Sequence, residues 1–233
     1  MVLVRKITFV QFIVFLLLTG CALGLTTVTD SFLLLWIPAG DFRGILLILI
    51  GVIIFYIYAI SLYRLFMMKF PLLPGNIPIG SKQEFIYHIH LLHFLMLFYP
   101  VMRAGFVPVP LMRLFYLGLG ARLGHNSYTA GILYDPLFIS VGDNTLVGEG
   151  ALLVPHAIEG KNLAHHPIKL GNNVTIGAHA IVFGGVEIGD GAIVAAGSVV
   201  RKGERIGPDE IWGGVPCRKL RHKDAPTTDN RIN

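Results

Sequence analysis

A repeat of six residues in the second half of the chain restricts the possible folds more than any other feature. Starting at Leu170, every sixth residue is aliphatic in seven consecutive repeats: Leu170, Ile176, Val182, Ile188, Val194, Val200 and Ile206. The residue after each aliphatic is often glycine, and the residue four places on is small or β-branched. An amphipathic helix repeats every 3.6 residues and a strand every two, so neither element explains this pattern.

A period of six predicts a coil with three short, flat faces per turn. The aliphatic side chain points into a narrow prism, and the glycine beside it permits a tight corner that a residue with a Cβ resists. This pattern is typical of a left-handed parallel β-helix. Because parallel connections are right-handed in nearly all other folds, the prediction of handedness depends entirely on the repeat. An earlier register at Leu123, Val141, Val147 and Leu153 extends the predicted all-β domain over residues 121–221.

One segment of the second half interrupts the repeat. The separation of Leu153 and Leu170 along the chain is not a multiple of six, so residues 155–167 must leave the prism. This insertion is polar and contains His156, His165 and His166. Because a loop that leaves a rigid scaffold is a frequent place for function, we predict that the functional side chains lie here.

The composition of the first half indicates a membrane protein. Of the 233 residues, 54% are apolar and only 14% are charged, with a mean hydropathy of +0.66, which excludes a disordered chain and an ordinary soluble enzyme. Residues 7–25 and 44–63 contain no charge, and each stretch is long enough to cross about 30 Å of hydrocarbon as a helix. Residues 1–70 are therefore predicted to form an α-helical transmembrane hairpin.

The distribution of charge predicts the topology of this hairpin. Residues 1–120 contain 8 Lys and Arg against 3 Asp and Glu, whereas the remainder contains 11 of each. The excess cations flank the apolar stretches, so the formal charge of +5 is no argument for a nucleic-acid partner. The positive-inside rule predicts a multi-pass protein of the cell (inner) membrane with both termini in the cytoplasm. As an alternative, residues 18–21 resemble a lipoprotein cleavage box, which implies a lipid on Cys21.

Residues 71–120 contain six prolines and are predicted to form interfacial or linker helices. The apolar stretch 85–99 is short for a membrane span, and Arg103, Arg113 and Arg122 are expected to meet anionic head groups. Three histidines of this segment are expected to direct their polar tips toward water, with a metal site as the alternative: His88, His90 and His93. Residues 222–233 are predicted to be a polar tail.

The second half resembles the hexapeptide-repeat acyltransferases, in particular the galactoside and maltose O-acetyltransferases. The resemblance covers residues 123–221 and is strongest in residues 168–179, 185–190 and 195–202. Residues 214–221 are similar to the terminal Gly-x-Pro-x-Lys/Arg signature of that family. Two membrane spans before such a domain also resemble the acyltransferase-like part of membrane-bound nonribosomal peptide synthetases.

This resemblance implies homotrimers that hold acetyl-CoA, or another acyl-CoA, between neighbouring β-helices, with a loop histidine as general base. His156 matches the position where the family's catalytic histidine leaves the prism. A neutral imidazole there removes the proton of the attacking acceptor. Glu159 is the candidate that orients its ring, and His165 and His166 are alternative bases.

The resemblance also implies a binding site for the CoA. Ala178 and Ala196 match positions whose backbone lies along the pantetheine, where small side chains leave the amides accessible. Four cations match positions expected near the phosphates: Arg201, Lys202, Arg218 and Arg221. The family usually has threonine where this chain has Arg201, so the phosphate contacts differ at that position.

Taken together, these observations predict a membrane-anchored, CoA-dependent acetyltransferase. The acceptor is expected to be a membrane-associated small molecule, saccharide or peptide with a hydroxyl or amine. The same solenoid occurs in γ-class carbonic anhydrases, but this chain has Ala178 and Phe183 at the positions of two of their zinc-binding histidines, with His179 one residue late. A metal-dependent hydratase and a non-catalytic β-helix scaffold therefore stay as alternatives, and no metal is expected.

Overall fold

The structure is a computed structural model of the 233-residue chain and describes residues 5–36 and 40–222. These residues form two compact units. The first contains the residues up to Leu73 together with Pro78–Pro100, and the second contains Pro74–Ile77 and the residues from Val101 onward. The predicted linker, residues 71–120, is thus divided between the two units. The predicted polar tail lies outside the described residues except for His222.

The first unit is helical. Its helices are α1 (Phe9–Trp36), α2 (Arg43–Lys69), α3 (Lys82–His93) and the start of α4 (Tyr99–Arg103), with a 3₁₀ turn at Gly40–Phe42 and a π-helical stretch at Phe94–Phe98. Helix α1 contains all but the first two residues of the first uncharged stretch predicted to be a span, and α2 contains the whole of the second. Their outward side chains are apolar, which suits a lipid environment: Phe9, Leu17, Ile48 and Ile53, for example, are more than half exposed.

Among the described residues, three helical stretches, rather than the two predicted, are long and apolar enough to cross a membrane: Phe9–Leu33, Arg43–Lys69 and Lys82–Arg103. The sequence predicts that prolines confine the third to the shorter stretch 85–99. It begins earlier, because the Ser81 hydroxyl accepts a hydrogen bond from the Glu84 N–H and caps the helix. It also continues past Pro100, where the wider π-helical turn directly before Tyr99 leaves room for the proline ring.

The expectation that the three histidines of this stretch reach water is wrong. His88, His90 and His93 are all buried within the helical unit. The Tyr63 hydroxyl lies 2.7 Å from His90 Nδ1, and His93 Nδ1 lies 2.8 Å from the carbonyl oxygen of Ile89. The rings pack against aromatic side chains of α1 and α2, such as Phe15, 5.0 Å from His93. These contacts cover the histidine face of α3, so the histidines act as packed polar side chains.

The second unit is a parallel β-helix with three faces. The first face contains β2 (Arg122–Leu123), β5 (Ile139–Val141), β10 (Ile168–Leu170), β13 (Glu187–Ile188) and β16 (Arg205–Ile206). The second contains β3 (Tyr128–Thr129), β6 (Leu146–Val147), β11 (Thr175–Ile176), β14 (Ile193–Val194), β17 (Glu210–Gly213) and the antiparallel β18 (Arg218–His222). The third contains β4 (Ile132–Leu133), β7 (Leu152–Val154), β12 (Ile181–Phe183) and β15 (Val199–Val200). A separate sheet contains β1 (Gly75–Asn76), β8 (His156–Glu159) and β9 (Asn162–His165).

The predicted repeat is confirmed by the strand register and by burial. Ile176 pairs with Val194, and Leu170 pairs with Ile188, each exactly one coil, or three repeats, later along the chain. All seven aliphatic residues of the repeat are buried, with at most 4% of their surface exposed. The third and fourth coils therefore each contribute three inward aliphatic side chains to one continuous core, which is the main source of stability in this unit.

The glycines after the aliphatic residues are required by close packing between coils. A Cβ on Gly177 would lie 2.4 Å from the backbone nitrogen of Ala196 in the next coil, and the backbone there cannot move aside. The left-handed backbone conformations occur two residues later, as at Asn173 (φ 55°) and His179 (φ 57°). Such a corner thus needs a residue without a Cβ directly after the aliphatic residue, and a residue that adopts a positive φ two positions after the glycine. The sequence pattern reveals only the first requirement.

Helix α5 (Val109–Leu119) covers the first coil of the β-helix. The Tyr116 hydroxyl donates to the Gly131 carbonyl and accepts a hydrogen bond from the Leu133 N–H, both at 3.2 Å. The Arg113 guanidinium donates to the carbonyls of Ser127, Leu123 and Gly124. The first coil has no preceding coil to bond its backbone N–H and C=O groups, and side chains of α5 supply such hydrogen bonds instead.

Candidate active site

The polar insertion, which was expected to be a loop outside the prism, is a β-hairpin. Strands β8 and β9 pair antiparallel with His156 opposite His165, and the turn between them uses Gly160 at φ 63°. Strand β1 adds a third strand, with Gly75 opposite His165. A two-stranded hairpin alone is only marginally stable, so the third strand helps to hold the histidines in fixed positions.

The side chain of His156 is held by Asp135. The two residues are 21 positions apart, and His156 Nδ1 lies 2.5 Å from Asp135 Oδ2. A carboxylate only accepts hydrogen bonds, so Nδ1 carries the proton and Nε2 keeps its lone pair. The carboxyl side chain is nearly buried, at 6% exposed, while the imidazole is 29% exposed. The geometry therefore presents an oriented proton acceptor at a partly open surface.

Asp135 was missed by the sequence analysis because the first coil departs locally from the period of six. Thr129 pairs with Val147, three repeats later, whereas the separation of Leu133 from its partner Leu153 exceeds three repeats by two positions. The segment from Thr129 to Leu133 is two residues shorter than one repeat, and the segment from Leu133 to Val141 is two residues longer. Counting in sixes from Leu123 puts Asp135 at an inward position, where a charge is out of place, and this was the available signal. The shift moves Asp135 to the corner beside which His156 leaves the prism.

The pKa of His156 is raised above its usual value of 6.5. Burial alone lowers the pKa, but the hydrogen bond to Asp135 and the negative charge of that carboxylate together outweigh the burial. A base of this kind takes up a proton more readily than free imidazole.

The other two candidate bases occupy different environments. His165 is fully buried, stacks on Phe138 with 4.5 Å between ring centroids, and has Nε2 4.0 Å from Asp135 Oδ2. His166 is half-buried and returns the chain to the prism through its backbone, whose N–H donates to the Pro155 carbonyl. Of the three histidines, His156 combines an oriented ring with access to solvent.

The expectation that Glu159 orients His156 is wrong. Glu159 lies at the far end of β8, opposite Asn162, and its side chain is 63% exposed. Its Oε1 accepts a hydrogen bond from Lys202 Nζ at 3.1 Å. Side chains on a strand alternate between its two faces, so a residue three positions from His156 points away from the histidine's side of the sheet. Asp135 takes the place that the sequence analysis gave to Glu159.

A pocket of about 480 Å³ joins His156 to two of the predicted phosphate-binding cations. Arg201 and Lys202 follow β15, two coils away from the corner at which β8 begins, and both line the pocket. Its remaining walls are mainly apolar: Val154, Ala157, Ile158, Phe183 and Gly184, with Glu159 at the edge. The pairs Lys202–Glu159 and Arg201–Glu204 are largely exposed, and such pairs are worth only about 0–1 kcal/mol, so both cations can exchange partners for a phosphate.

The other predicted cofactor residues lie elsewhere on the chain. Ala178 and Ala196 stack at the corner between the second and third faces, where the Ala178 carbonyl accepts a hydrogen bond from Gly197 N–H. Arg218 and Arg221 are exposed on β18, opposite Gly213 and Ile211. None of the four lines the pocket beside His156. A single chain thus brings together His156, Arg201 and Lys202, but not the complete predicted set.

Within the part of the chain that the structure describes, no group of three or more His, Cys, Asp and Glu side chains is arranged to hold a metal ion. His179, the histidine nearest to the zinc-binding pattern of the γ-class carbonic anhydrases, lies at a turn with φ 57°. A Cβ on Gly150 would lie 2.4 Å from its Nδ1, so this ring packs against the neighbouring coil.

Comparison with known proteins agrees with the repeat. Residues 167–202 match the model of the hexapeptide repeat of succinyl-transferase. Galactoside O-acetyltransferase of Escherichia coli (strain K12) is 37% identical over 117 residues, which cover 46% of this chain and 56% of the relative. The mitochondrial gamma carbonic anhydrase 1 of Arabidopsis thaliana is 33% identical over 125 residues, which cover 46% of this chain and 43% of the relative. The chain therefore spans about half the length of the curated relatives it matches.

Among solved structures, galactoside acetyltransferase in complex with coenzyme A matches with a TM-score of 0.40 and 31% identity, over 46% of this chain and 57% of that chain. The hexapeptide-repeat relatives imply left-handed winding of the β-helix. Residues 167–202 of this chain thus match the hexapeptide-repeat model, and about half of the chain is similar to a galactoside O-acetyltransferase.

Proposed function

We propose that this protein is a membrane-anchored acyltransferase that moves an acyl group, most simply acetyl, from CoA to a hydroxyl or amine of a membrane-associated acceptor. The observation that carries the proposal is His156, held by Asp135 and open to a pocket that also contains Arg201 and Lys202. The arrangement supplies a base and cations for phosphate at the two ends of one pocket.

In the proposed reaction the acceptor oxygen or nitrogen attacks the carbonyl carbon of the thioester. Nε2 of His156 accepts the proton of the attacking atom, and the new C–O or C–N bond forms as the C–S bond breaks. The CoA thiolate leaves and takes the proton from the imidazolium. Asp135 acts as a positioning residue: it holds the ring and stabilises its positive charge during the step, as its effect on the pKa of His156 indicates.

The cofactor in this proposal is acetyl-CoA or another acyl-CoA, with no metal. Arg201 and Lys202 would contact its phosphates through charge-assisted hydrogen bonds. Ala178 and Ala196 offer backbone amides at a different corner of the same chain, and Arg218 and Arg221 offer further cations on β18. The division of these residues between two corners is consistent with a homotrimer in which neighbouring chains complete each site.

The proposed location is the cell (inner) membrane, with α1 and α2 as its spans and the β-helix in the cytoplasm, where acyl-CoA is present. In this proposal the stretch Lys82–Arg103 packs beside α1 and α2 but does not cross the bilayer completely. Strand β1 before it pairs with β9, and α5 after it packs on β2 and β3. A spanning helix would separate these two segments by the bilayer, although both belong to one compact unit.

The direct test is a transfer assay on the purified full-length protein in detergent, with labelled acetyl-CoA and fractionated membrane lipids and metabolites. We expect a labelled product with the native protein and none above background with His156→Ala, which should still bind CoA. His125→Ala is the matched control, because His125 is an exposed histidine of the first coil outside the pocket. Absence of CoA binding by the native protein would refute the proposal, and zinc-dependent hydration of carbon dioxide would support the hydratase instead.

A further inference from the structure

Helix α5 presents an apolar face that no other described part of the chain covers. Its inner face buries Met112, Tyr116 and Leu119 against the first coil of the β-helix. Its outer face exposes Leu111 and Leu114, which are 55% and 60% exposed. The segment before it adds Phe106, 77% exposed, and Val109 at the first turn.

The outer face forms a continuous stripe rather than scattered apolar residues. Pro110, Leu111 and Leu114 follow the spacing of three and four residues that aligns side chains on one side of a helix. Residues 103–111 are nearly all exposed, and they contain one charge, that of Arg103. A helix whose inner face packs on the protein and whose outer face is apolar, with a cation before it, is suited to the boundary between lipid head groups and acyl chains.

The arginines near α5 divide into two environments. Arg113, which was expected to meet anionic head groups, is instead occupied by the carbonyls of Ser127, Leu123 and Gly124. Arg103 is exposed at the end of α4, directly before the segment that begins the apolar stripe. Arg113 therefore holds α5 on the β-helix, whereas Arg103 directly precedes the apolar stripe in the sequence.

We infer that the outer face of α5 inserts into the surface of the same bilayer that holds α1 and α2, with the first coil of the β-helix directed toward the membrane. The inference rests on the anchoring part of the proposed function, but not on its chemistry. The chain supports a bilayer rather than a second protein as the occupant, because only residues 104–108 separate α4 from α5. That segment extends at most about 20 Å, so α5 cannot leave the neighbourhood of the preceding apolar helix.

This orientation gives the pocket a direction relative to the membrane. His156 leaves the second coil, one step of about 5 Å beyond the coil that α5 covers, whereas Arg201 and Lys202 lie two coils farther away. The apolar walls formed by Ile158 and Phe183 belong to the hairpin that follows the second coil and to the third coil. An acceptor with a hydrocarbon chain would therefore approach His156 from the bilayer, and CoA would enter with its phosphates on the cytoplasmic side.

Site-directed fluorescence in vesicles tests this inference without an activity assay. In a Cys21→Ala, Cys217→Ala background, Leu114→Cys or Leu220→Cys is labelled with an environment-sensitive dye. The full-length protein is then reconstituted in phosphatidylethanolamine and phosphatidylglycerol vesicles, with or without brominated acyl chains. Leu220 is the matched control, because it is a leucine of similar exposure, 63%, on the strand that ends the opposite side of the β-helix.

We expect brominated lipid to quench the dye at position 114 at least twofold and to leave the dye at position 220 unchanged. Equal quenching at both positions, or none at 114 in protein that resists carbonate extraction, would overturn the inference. A disulfide between two copies of the unlabelled Leu114→Cys protein, formed on addition of an oxidant, with no quenching of the labelled protein, would assign this face to a second chain and also overturn it. Release of the protein from the vesicles by carbonate would refute membrane anchoring, which is part of the proposed function. This outcome is distinct from the absence of quenching in protein that stays anchored, which would refute only the present inference.

Discussion

The carboxylate of Asp135 lies 2.5 Å from Nδ1 of His156, although the two residues belong to successive coils of the β-helix. Asp135 itself adopts a left-handed backbone conformation, with φ 43°, directly before the 3₁₀ turn Pro136–Phe138. Such a conformation costs about 1–2 kcal/mol for most residues, and Asp tolerates it better than most. The chain thus uses a strained corner to bring this carboxylate to the histidine.

The first prediction concerns the pH dependence of transfer in Asp135→Asn. A general base works only when it is unprotonated, so the native rate should fall as the pH drops through the pKa of His156, which is raised above 6.5. Without the carboxylate, burial dominates and the pKa falls, so the acidic limb moves to lower pH. The maximal kcat should also fall by roughly 10²- to 10⁴-fold, because an amide favours the tautomer with the proton on Nε2.

The pH profile of kcat/KM measures this shift. Asp143→Asn is the control, because Asp143 is an exposed aspartate of the second coil that accepts a hydrogen bond from the His125 N–H. Its profile should overlay that of the native protein. Glu159→Gln distinguishes the two candidate carboxylates: if its acidic limb moved and that of Asp135→Asn stayed in place, the assignment of Asp135 would be wrong.

A second prediction concerns the cations of the pocket. Arg201→Ala and Lys202→Ala should each raise the KM for acyl-CoA by roughly tenfold, because each removes a charge-assisted hydrogen bond worth about 1.5–3 kcal/mol, discounted for exposure. The KM for the acceptor should change little. Lys169→Ala is the control, because Lys169 is 63% exposed and pairs with Glu187 on the first face. A dependence of CoA binding on Lys169 equal to that on Lys202 would contradict the assigned phosphate end of the pocket.

A third prediction tests the repeat as the source of stability. Ile176 is fully buried, and Ile176→Ala should cost about 2–5 kcal/mol through lost burial and the cavity it leaves. Leu146 precedes Val147, the residue paired with Ile176, and its side chain is 50% exposed on the outer surface. Leu146→Ala should therefore cost much less. Thermal unfolding of the detergent-solubilised protein compares the two, and equal losses would show that the inward and outward positions have been misassigned.

The parts of the fold that the sequence predicts are those governed by local periodicity. The aliphatic repeat from Leu170 to Ile206 gives the later coils and their core, because each residue's position there depends only on its phase. The position of Asp135 cannot be predicted from the repeat. The first coil loses two residues before β4 and gains two after it, and only the pairing of Leu133 with Leu153 reveals this shift. Strand β1 cannot be predicted in this way either, because two residues carry no periodicity and their partner β9 lies far along the chain, beyond α3, α4, α5 and the first two coils.

In the helical unit, too, features that depend on contacts between distant residues are not predicted by the sequence. The apolar content of α1 and α2 predicts that both helices exist, although α1 continues to Trp36, whereas the length of the third stretch depends on a π-helical turn before Pro100 that composition does not reveal. The burial of His90 depends on Tyr63, a residue of another helix. Pairwise contacts between distant segments therefore account for most of the differences between prediction and structure.

The last prediction uses Tyr116, the tyrosine through which α5 holds the first coil. Burial raises the pKa of its hydroxyl from 10.0 to about 12. The folded state therefore keeps this proton between pH 10 and 12 while the unfolded state releases it, and about 2–3 kcal/mol of stability should be lost over that range. Tyr116→Phe should lose less stability between pH 9 and 12 than the native protein, although it starts about 1–3 kcal/mol lower because the Leu133 N–H loses its acceptor. Tyr128→Phe, at an exposed position of the same coil, should follow the native curve. Parallel curves for the native protein and Tyr116→Phe would show that the Tyr116 hydroxyl is not buried against the coil.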